Sequence, residues 1–340
     1  MPEAAVQIVA VDKANAHHVG DLIRSVYGED FPVKDVYQPE VLCREIEAGR
    51  LISALAFVQD GRPAGYISAF KSAPNFRLWE AGALVVAPEF ACANLASLLP
   101  EYCFSSPMKL MADSDGLISE AVCCHYFSQV SVIKSGLVDC ALLLDQLSGD
   151  SFKDGRSNRS ETARVSCVLN FKEFTNPAGT EYLPARYAQR LRQLAAPLRP
   201  RTFVTDEAPL PDSGITRRED FYFASAQTWK ITVRSIGADW AAVIAQILAE
   251  ADKRRVISLQ VTLDTACPSI GAAVESLREQ GFFFGGLIPR WFGTDGLLMQ
   301  KLLDDEPEFE KIKLYSPTAQ NLLEYIRADR AAVGSTGRSF

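Results

Sequence analysis

Residues 77–99, RLWEAGALVVAPEFACANLASLL, decide how the rest of the chain is read. A short polar lead gives way to a buried strand over 83–87, a turn at Pro88 and an apolar helix start. A strand that runs through a loop into a helix leaves the first backbone N–H groups of that helix pointing outward. Such a place suits a phosphate-bearing ligand.

Upstream, residues 6–11 alternate as an opening strand, and 14–27 place His17, Val19, Leu22, Ile23 and Val26 at helical spacing before Gly28. Pro39 begins a second short helix that runs to Gly49. Residues 51–59 and 64–70 are two strands around Asp60-Gly61, a strong hairpin signal. Downstream, the pattern predicts a helix over 93–104, a short strand over 109–113, a helix over 119–135 capped by Gly136, and a strand over 137–144. Residues 145–161 are polar and rich in Gly, Ser, Asp and Arg, hence a loop, and 162–174 alternate as a strand. This is α+β order, with an antiparallel start and a parallel crossover in the middle.

Asn176-Pro177-Ala178-Gly179 is a turn cluster and marks a boundary between two domains, 1–175 and 176–340. A length of 340 residues fits two domains. Beyond the boundary, 182–198 reads as a helix, 221–226 and 229–235 as strands, and 240–253 as a helix with Asp239 as its N-cap. Residues 256–264 form a strand and 269–280 a helix ended by Gly281. Residues 282–288 and 296–303 are strands, and a helix over 318–332 closes the chain.

A hydrophobic fraction of 48% is ample for a core, and a net charge of −7 with pI near 5.2 argues against a general nucleic-acid binder. The basic runs Arg186, Arg190, Arg192, Arg199, Arg201 and Lys253, Arg254, Arg255 read as solvated helix faces. The eight cysteines form no CxxC pair and no zinc spacing, so no metal is expected. The first residues carry no basic segment leading into an apolar one, and no apolar run reaches the ~18–20 residues of a membrane span. Reduced thiols make the cytoplasm the expected compartment. Nucleophile elbow, Walker loop and dinucleotide fingerprint are all missing from the sequence.

VYGEDFP after the first helix, the DG hairpin and EAGALVVAPEF make residues 6–174 resemble the GNAT superfamily of acyl-CoA-dependent acyltransferases. KSGLVDCALLL stands where that family carries a helix end, "GF" and a strand, and EQGFFFGGLIP matches the same corner more closely in the second half. The chain therefore resembles two tandem GNAT-like domains, each a mixed, mostly antiparallel sheet flanked by helices.

The resemblance implies an acyl-CoA co-substrate, whose pantetheine arm would lie along the backbone of Leu84, Val85 and Val86. The pyrophosphate loop, usually Arg/Gln-x-x-Gly-x-Gly/Ala, corresponds to Ala91 through Ala96: Ala91 replaces the basic residue, Asn94 the first glycine, and Ala96 fits. Asn tolerates a positive φ better than most residues. The matching loop of the second half, Ile236-Gly237-Ala238-Asp239, departs from the pattern as well. Glu80 occupies the position of a base; its plain alternative is a strand-edge partner of Arg77. The family's acidic Tyr is replaced by Val132 and, in the second half, by Leu277. His125, a candidate proton relay, and Tyr126 lie nearby on the same expected helix. A helix-surface role is the alternative for His125, and His17-His18 read as a helix-start pair with no role. The aromatic runs at 282–284 and 291–292 line an acceptor pocket or fill the core. Three functions stay open: acyl transfer from acyl-CoA to a small-molecule amine, transfer from an aminoacyl-tRNA or carrier-protein ester, and a non-catalytic binding or regulatory role.

Overall fold

The computed structural model describes residues 6–29, 31, 33–90, 94–104, 113–152, 163–205, 208–303 and 306–336. The first part of the chain forms β1 (Val6–Ala10), α1 (His17–Tyr27), α2 (Pro39–Glu47), β2 (Leu51–Val58), β3 (Pro63–Phe70), β4 (Leu78–Val86) and α3 (Leu95–Phe104). β5 (Gly116–Val122), α4 (Phe127–Lys134), β6 (Val138–Ser148) and β7 (Arg164–Glu173) follow. After β8 (Thr180–Leu183), α5 (Ala188–Ala195) and β9 (Thr202–Thr205) come β10 (Arg217–Phe223), β11 (Thr228–Ser235), α6 (Trp240–Arg254) and β12 (Ser258–Asp264). The chain ends with α7 (Ile270–Glu279), β13 (Phe283–Ile288), β14 (Gly296–Leu302) and α8 (Pro317–Thr336).

Twelve strands join one sheet in the order β1-β2-β3-β4-β5-β7-β6-β13-β14-β12-β11-β10. From its middle outward, β6-β7-β5-β4-β3 and β13-β14-β12-β11-β10 repeat the same pairings: antiparallel, antiparallel, parallel, antiparallel. The sheet is thus two copies of one strand order meeting back to back, and β1 and β2 extend only the first. The two sets touch at β6 and β13 through one rung, Gly286 with Ala141. A Cβ on Gly286, whose φ is 136°, would lie 2.4 Å from the Ala141 Cα, so glycine is required where the backbones meet. Beyond that rung the exposed edge of β6 is satisfied by side chains of the second set. Gln300 bridges Leu144 N–H (2.9 Å) and Leu142 C=O (3.0 Å), Ser258 donates to Leu144 C=O (2.8 Å), and Thr228 donates to Gln146 C=O (2.6 Å).

Helices α1 and α2 cover one face of the first set, over Leu55, Tyr66 and Val85, and α3 covers the other, over Ala56, Ala64 and Ile67. Helices α5–α8 pack over Trp229, Ile231, Leu259 and Val261 of the second. Between the sets lies an apolar cluster that includes Leu78, Ile118, Leu169, Phe171, Ile288 and Leu298. A buried ionic cluster beside it ties the halves. Arg201 bonds Glu173 (3.1 Å) and Asp295 Oδ2 (2.5 Å), and Arg290 bonds Asp115 (3.0 Å). Arg201 is therefore a buried cross-link and not part of a solvated basic face.

The largest departure from the sequence pattern is at residues 119–135. The expected helix is instead β5, a turn at 123–126 and the short α4. LISEAV is covered on both faces, so it shows no period of two, and its Glu and Ala favour helix until pairing with β4 and β7 overrides them. The expected strand over 109–113 lies outside the described residues except for Asp113, which is in a turn. The expected helix over 182–198 splits into β8 and α5, with Pro184 between them. β6 runs on to Ser148, into the expected loop.

Candidate active site

The central strand of the opening stretch is β4, which begins at Leu78, before the expected start at 83. It pairs with β5 in parallel over four rungs, Leu78 with Gly116 to Ala81 with Ser119. Beyond Ala81 the pairing stops, although β4 continues to Val86 and β5 to Val122. On its other side β4 stays paired with β3, with an irregularity between Tyr66 and Ser68. Ala83 there has φ 49°, a conformation that costs a non-glycine residue about 1 kcal/mol or more and marks a bulge. The bulge turns β4 away from β5 and leaves one backbone edge of residues 82–86 outside any ladder.

Leu84 and Val86 lie half-buried on the α3 side of this edge, and Val85 is buried on the α1/α2 side. Ala91 lies outside the described residues. Asn94, with φ 53°, stands directly before α3, so the left-handed backbone that a glycine would serve is present with Asn. Ala96 is exposed in the first turn, and Ser131 of α4 donates to its carbonyl at 3.2 Å, which places α4 against the start of α3.

Glu80 lies on the paired part of β4, opposite Ile118. Arg77 does not pair with it; Arg77 bonds Asp115 at 3.0 Å. On the same face, two residues after Ile118, stands Glu120, which bonds Lys230 of β11 at 2.7 Å. Burial first, and then the Glu120 charge, push the Glu80 carboxyl up to about 7 against the pull of Lys230 and a hydrogen bond with Ser72. Burial alone would lower the Lys230 ammonium; the charges of Glu120 and Glu80 outweigh it and raise it. A carboxyl that titrates near neutrality beside an open backbone edge can accept a proton from an amine.

His125 and Tyr126 are not on a helix. They sit in the turn between Val122 and α4, with Tyr126 immediately before the helix and exposed. Val122 is four residues along β5 from Ile118, the rung partner of Glu80, or roughly 13 Å. The fold thus puts His125 and Tyr126 at the far end of β5, away from Glu80. His17 and His18 stack on each other at the start of α1 (4.0 Å between ring centres). Phe282, Phe283 and Phe284 are core, and Trp291 donates to Thr232 at 3.2 Å.

Lys230 and Glu120 were not legible as site residues. The signal was the strict alternation of TWKITV and SLQVTL, which puts a polar face on two strands that the fold covers on both sides. Among the described residues no group of His, Cys, Asp and Glu is placed to hold a metal ion, and no helix is long and apolar enough to cross a membrane.

The second set has no such opening. β11 and β12 stay paired over six rungs, Thr228 with Ser258 to Val233 with Leu263. The turn before α6 is closed by the chain itself: Gly237 N–H donates to Thr216 Oγ1 (3.1 Å) and Ala238 N–H to Gly214 C=O (3.2 Å). Asp239 accepts from Thr216 N–H (2.7 Å) and Oγ1 (2.8 Å), so its carboxylate faces back to this plug, and no side-chain bond caps α6. A Cβ on Gly237 would lie 2.5 Å from the Ile215 carbonyl carbon, which leaves no room for a ligand at that turn.

No family model matches the chain, and no curated protein matches it. Solved structures similar to it include ribosomal-protein-S5-alanine acetyltransferase from Vibrio fischeri, at 10% identity and TM-score 0.40, covering 50% of this chain and 94% of that one. An acetyltransferase of the GNAT family from Streptococcus pneumoniae is similar at 16% identity and TM-score 0.40, covering 50% and 99%. An N-acetyltransferase from Staphylococcus aureus Mu50 is similar at 8% identity and TM-score 0.40, covering 51% and 100%.

Proposed function

We propose that the chain is a GNAT-like acyltransferase of two units, 1–175 and 176–340, that moves an acyl group from acyl-CoA to a small-molecule amine. The observation that carries this reading is the parting of β4 from β5 after Ala81 and Ser119, with the bulge at Ala83. The open edge at residues 82–86 offers N–H and C=O groups to the amides of a pantetheine arm, and a thioester lying near the last rung would have Glu80 one residue away. The start of α3, with Asn94 in a left-handed conformation, then faces the pyrophosphate.

In this reading the acceptor amine gives its proton to Glu80 and attacks the thioester carbonyl. The tetrahedral intermediate collapses to the amide as the C–S bond breaks, and the second proton of the nitrogen passes to the departing sulfur, so that CoA leaves as the thiol. No covalent enzyme intermediate is involved. The near-neutral Glu80 carboxyl is suited to the first proton transfer at cytoplasmic pH. His125 and Tyr126, at the far end of β5, serve the mouth of the opening and not the proton transfer.

Titration calorimetry with acetyl-CoA and longer acyl-CoAs tests the donor. Binding in the micromolar to millimolar range is expected; no binding of either at millimolar concentration removes acyl-CoA and leaves an aminoacyl-tRNA or carrier-borne donor, the former recognised by affinity that falls with salt. Glu80→Gln is expected to lower kcat by about 10²-fold or more with donor affinity unchanged. Turnover at the wild-type rate takes Glu80 out of the base role.

A further inference from the structure

The second half has no donor opening, yet it reaches into the first half at Glu80. On β11, Thr228, Lys230 and Thr232 alternate with buried Trp229, Ile231 and Val233; on β12, Ser258, Gln260 and Thr262 alternate with buried Leu259, Val261 and Leu263. The apolar set packs under the second-half helices. Much of the polar set reaches the first half, through Thr228 and Ser258 on the β6 backbone, Lys230 on Glu120, and Gln260 on Gln146. Elsewhere the same seam is filled by Leu, Ile and Phe, so a polar patch is not needed to join the halves.

The patch converges on one carboxylate. Glu120 accepts from Lys230 on Oε1 at 2.7 Å and from Gln146 Nε2 on Oε2, and Gln146 Oε1 in turn accepts from Gln260 at 3.4 Å. Both oxygens of Glu120 are thereby held by donors, one directly and one indirectly from the second half. The charged groups that face Glu80 are Glu120 from β5 and Lys230 from β11, with the Cys167 thiol of β7 beside them and the Ser72 hydroxyl bonded to Glu80 itself.

We propose that Lys230 is a positioning residue for the site on the other half: it pins the Glu120 carboxylate on the face of the sheet that carries Glu80, so that the unit without a donor opening completes the proton-accepting end of the unit that has one. This rests on the reading of Glu80 as the base. The sign of each charge gives the consequence. Removing the Glu120 charge makes Glu80 easier to ionise, and removing the Lys230 charge makes it harder.

The test is carboxyl-carbon NMR of glutamate-labelled full-length protein, following the near-neutral titration assigned by its loss in Glu80→Gln. Glu120→Gln is expected to move that midpoint down, and Lys230→Met to move it up, each by about one pH unit. The acid limb of kcat/KM moves with it. Lys230→Arg, which keeps the charge, restores both within a few tenths of a unit. The Glu120→Gln, Lys230→Met double variant guards against unfolding of a single variant and returns the midpoint toward the wild-type value. Midpoints that stay put, or that move in the same direction in both single variants, overturn the proposal. The NMR arm needs no turnover: if acyl-CoA fails to bind, the acyl-CoA donor falls, while the midpoints still decide the role of Lys230.

Discussion

The two parallel strand pairs, β4/β5 and β11/β12, occupy the same place in a repeated strand order but are in opposite states. The first parts after four rungs, with a left-handed Ala83 at the break; the second is paired through six. The first runs on to a helix start entered through a left-handed Asn94; the second ends at a turn filled by residues 214–216. One strand order can thus serve as an open site or as a wall, and a few local residues decide which. The wall has its own task, because its polar face brings Lys230 to Glu120.

The largest effect on this comparison is expected from the ionic cluster that joins the halves. Arg201→Met leaves Glu173 and Asp295 as buried carboxylates without their shared cation, and unfolding by denaturant should show a loss of about 3–5 kcal/mol. A loss under 1 kcal/mol would mean that Arg201 adds little to joining the halves. Thr216→Val removes the hydroxyl that accepts from Gly237 and donates to Asp239, and a loss of about 1–2 kcal/mol is expected with acyl-CoA affinity unchanged. A gain of a second acyl-CoA site in that variant would show that the plug alone closes the second unit.

The smallest effect is a slope with pH. Burial and the Asp295 charge push the Glu181 carboxyl up to about 7, so the folded chain holds a proton that the unfolded chain releases near 4.5. Its contribution to stability is therefore present below about 4.5 and is lost as pH rises to about 7. Glu181→Gln, whose amide oxygen can still accept from Thr265, should flatten that part of the stability–pH curve. Asp115 acts with the opposite sign. Burial works against its charge, but bonds from Asn75, Thr175 and Arg77 and the Arg290 charge hold it at about 2, so its contribution is lost only as pH falls toward that value. An unchanged slope in Glu181→Gln would assign the pH dependence to other groups.

Much of the fold was legible because its signals are local. The DG hairpin, Pro39 at a helix start, Gly281 at a helix end and the alternation of 258–264 each depend on a few neighbouring residues. β5 was not legible, since LISEAV does not alternate and its Glu and Ala are compatible with helix. The geometry of the candidate site was half legible. Glu80 and Asn94 follow from their places around the central strand, and Asn94 adopts the positive φ its residue type permits. Glu120 follows only once β5 is known to be a strand in register with β4, and Lys230 lies 110 residues further along the chain. Arg201 shows the same limit: in sequence it joins a basic run, and only the fold buries it between two carboxylates.

In the proposed function the opened pair β4/β5 takes the donor and the closed pair β11/β12 does not. Amide hydrogen exchange read by mass spectrometry, with and without saturating acetyl-CoA, tests it most directly. Slower exchange is expected in peptides covering residues 82–86 and 95–97, with no change in those covering 228–240. Protection in the second half, or none at residues 82–86 with acetyl-CoA bound, would contradict it.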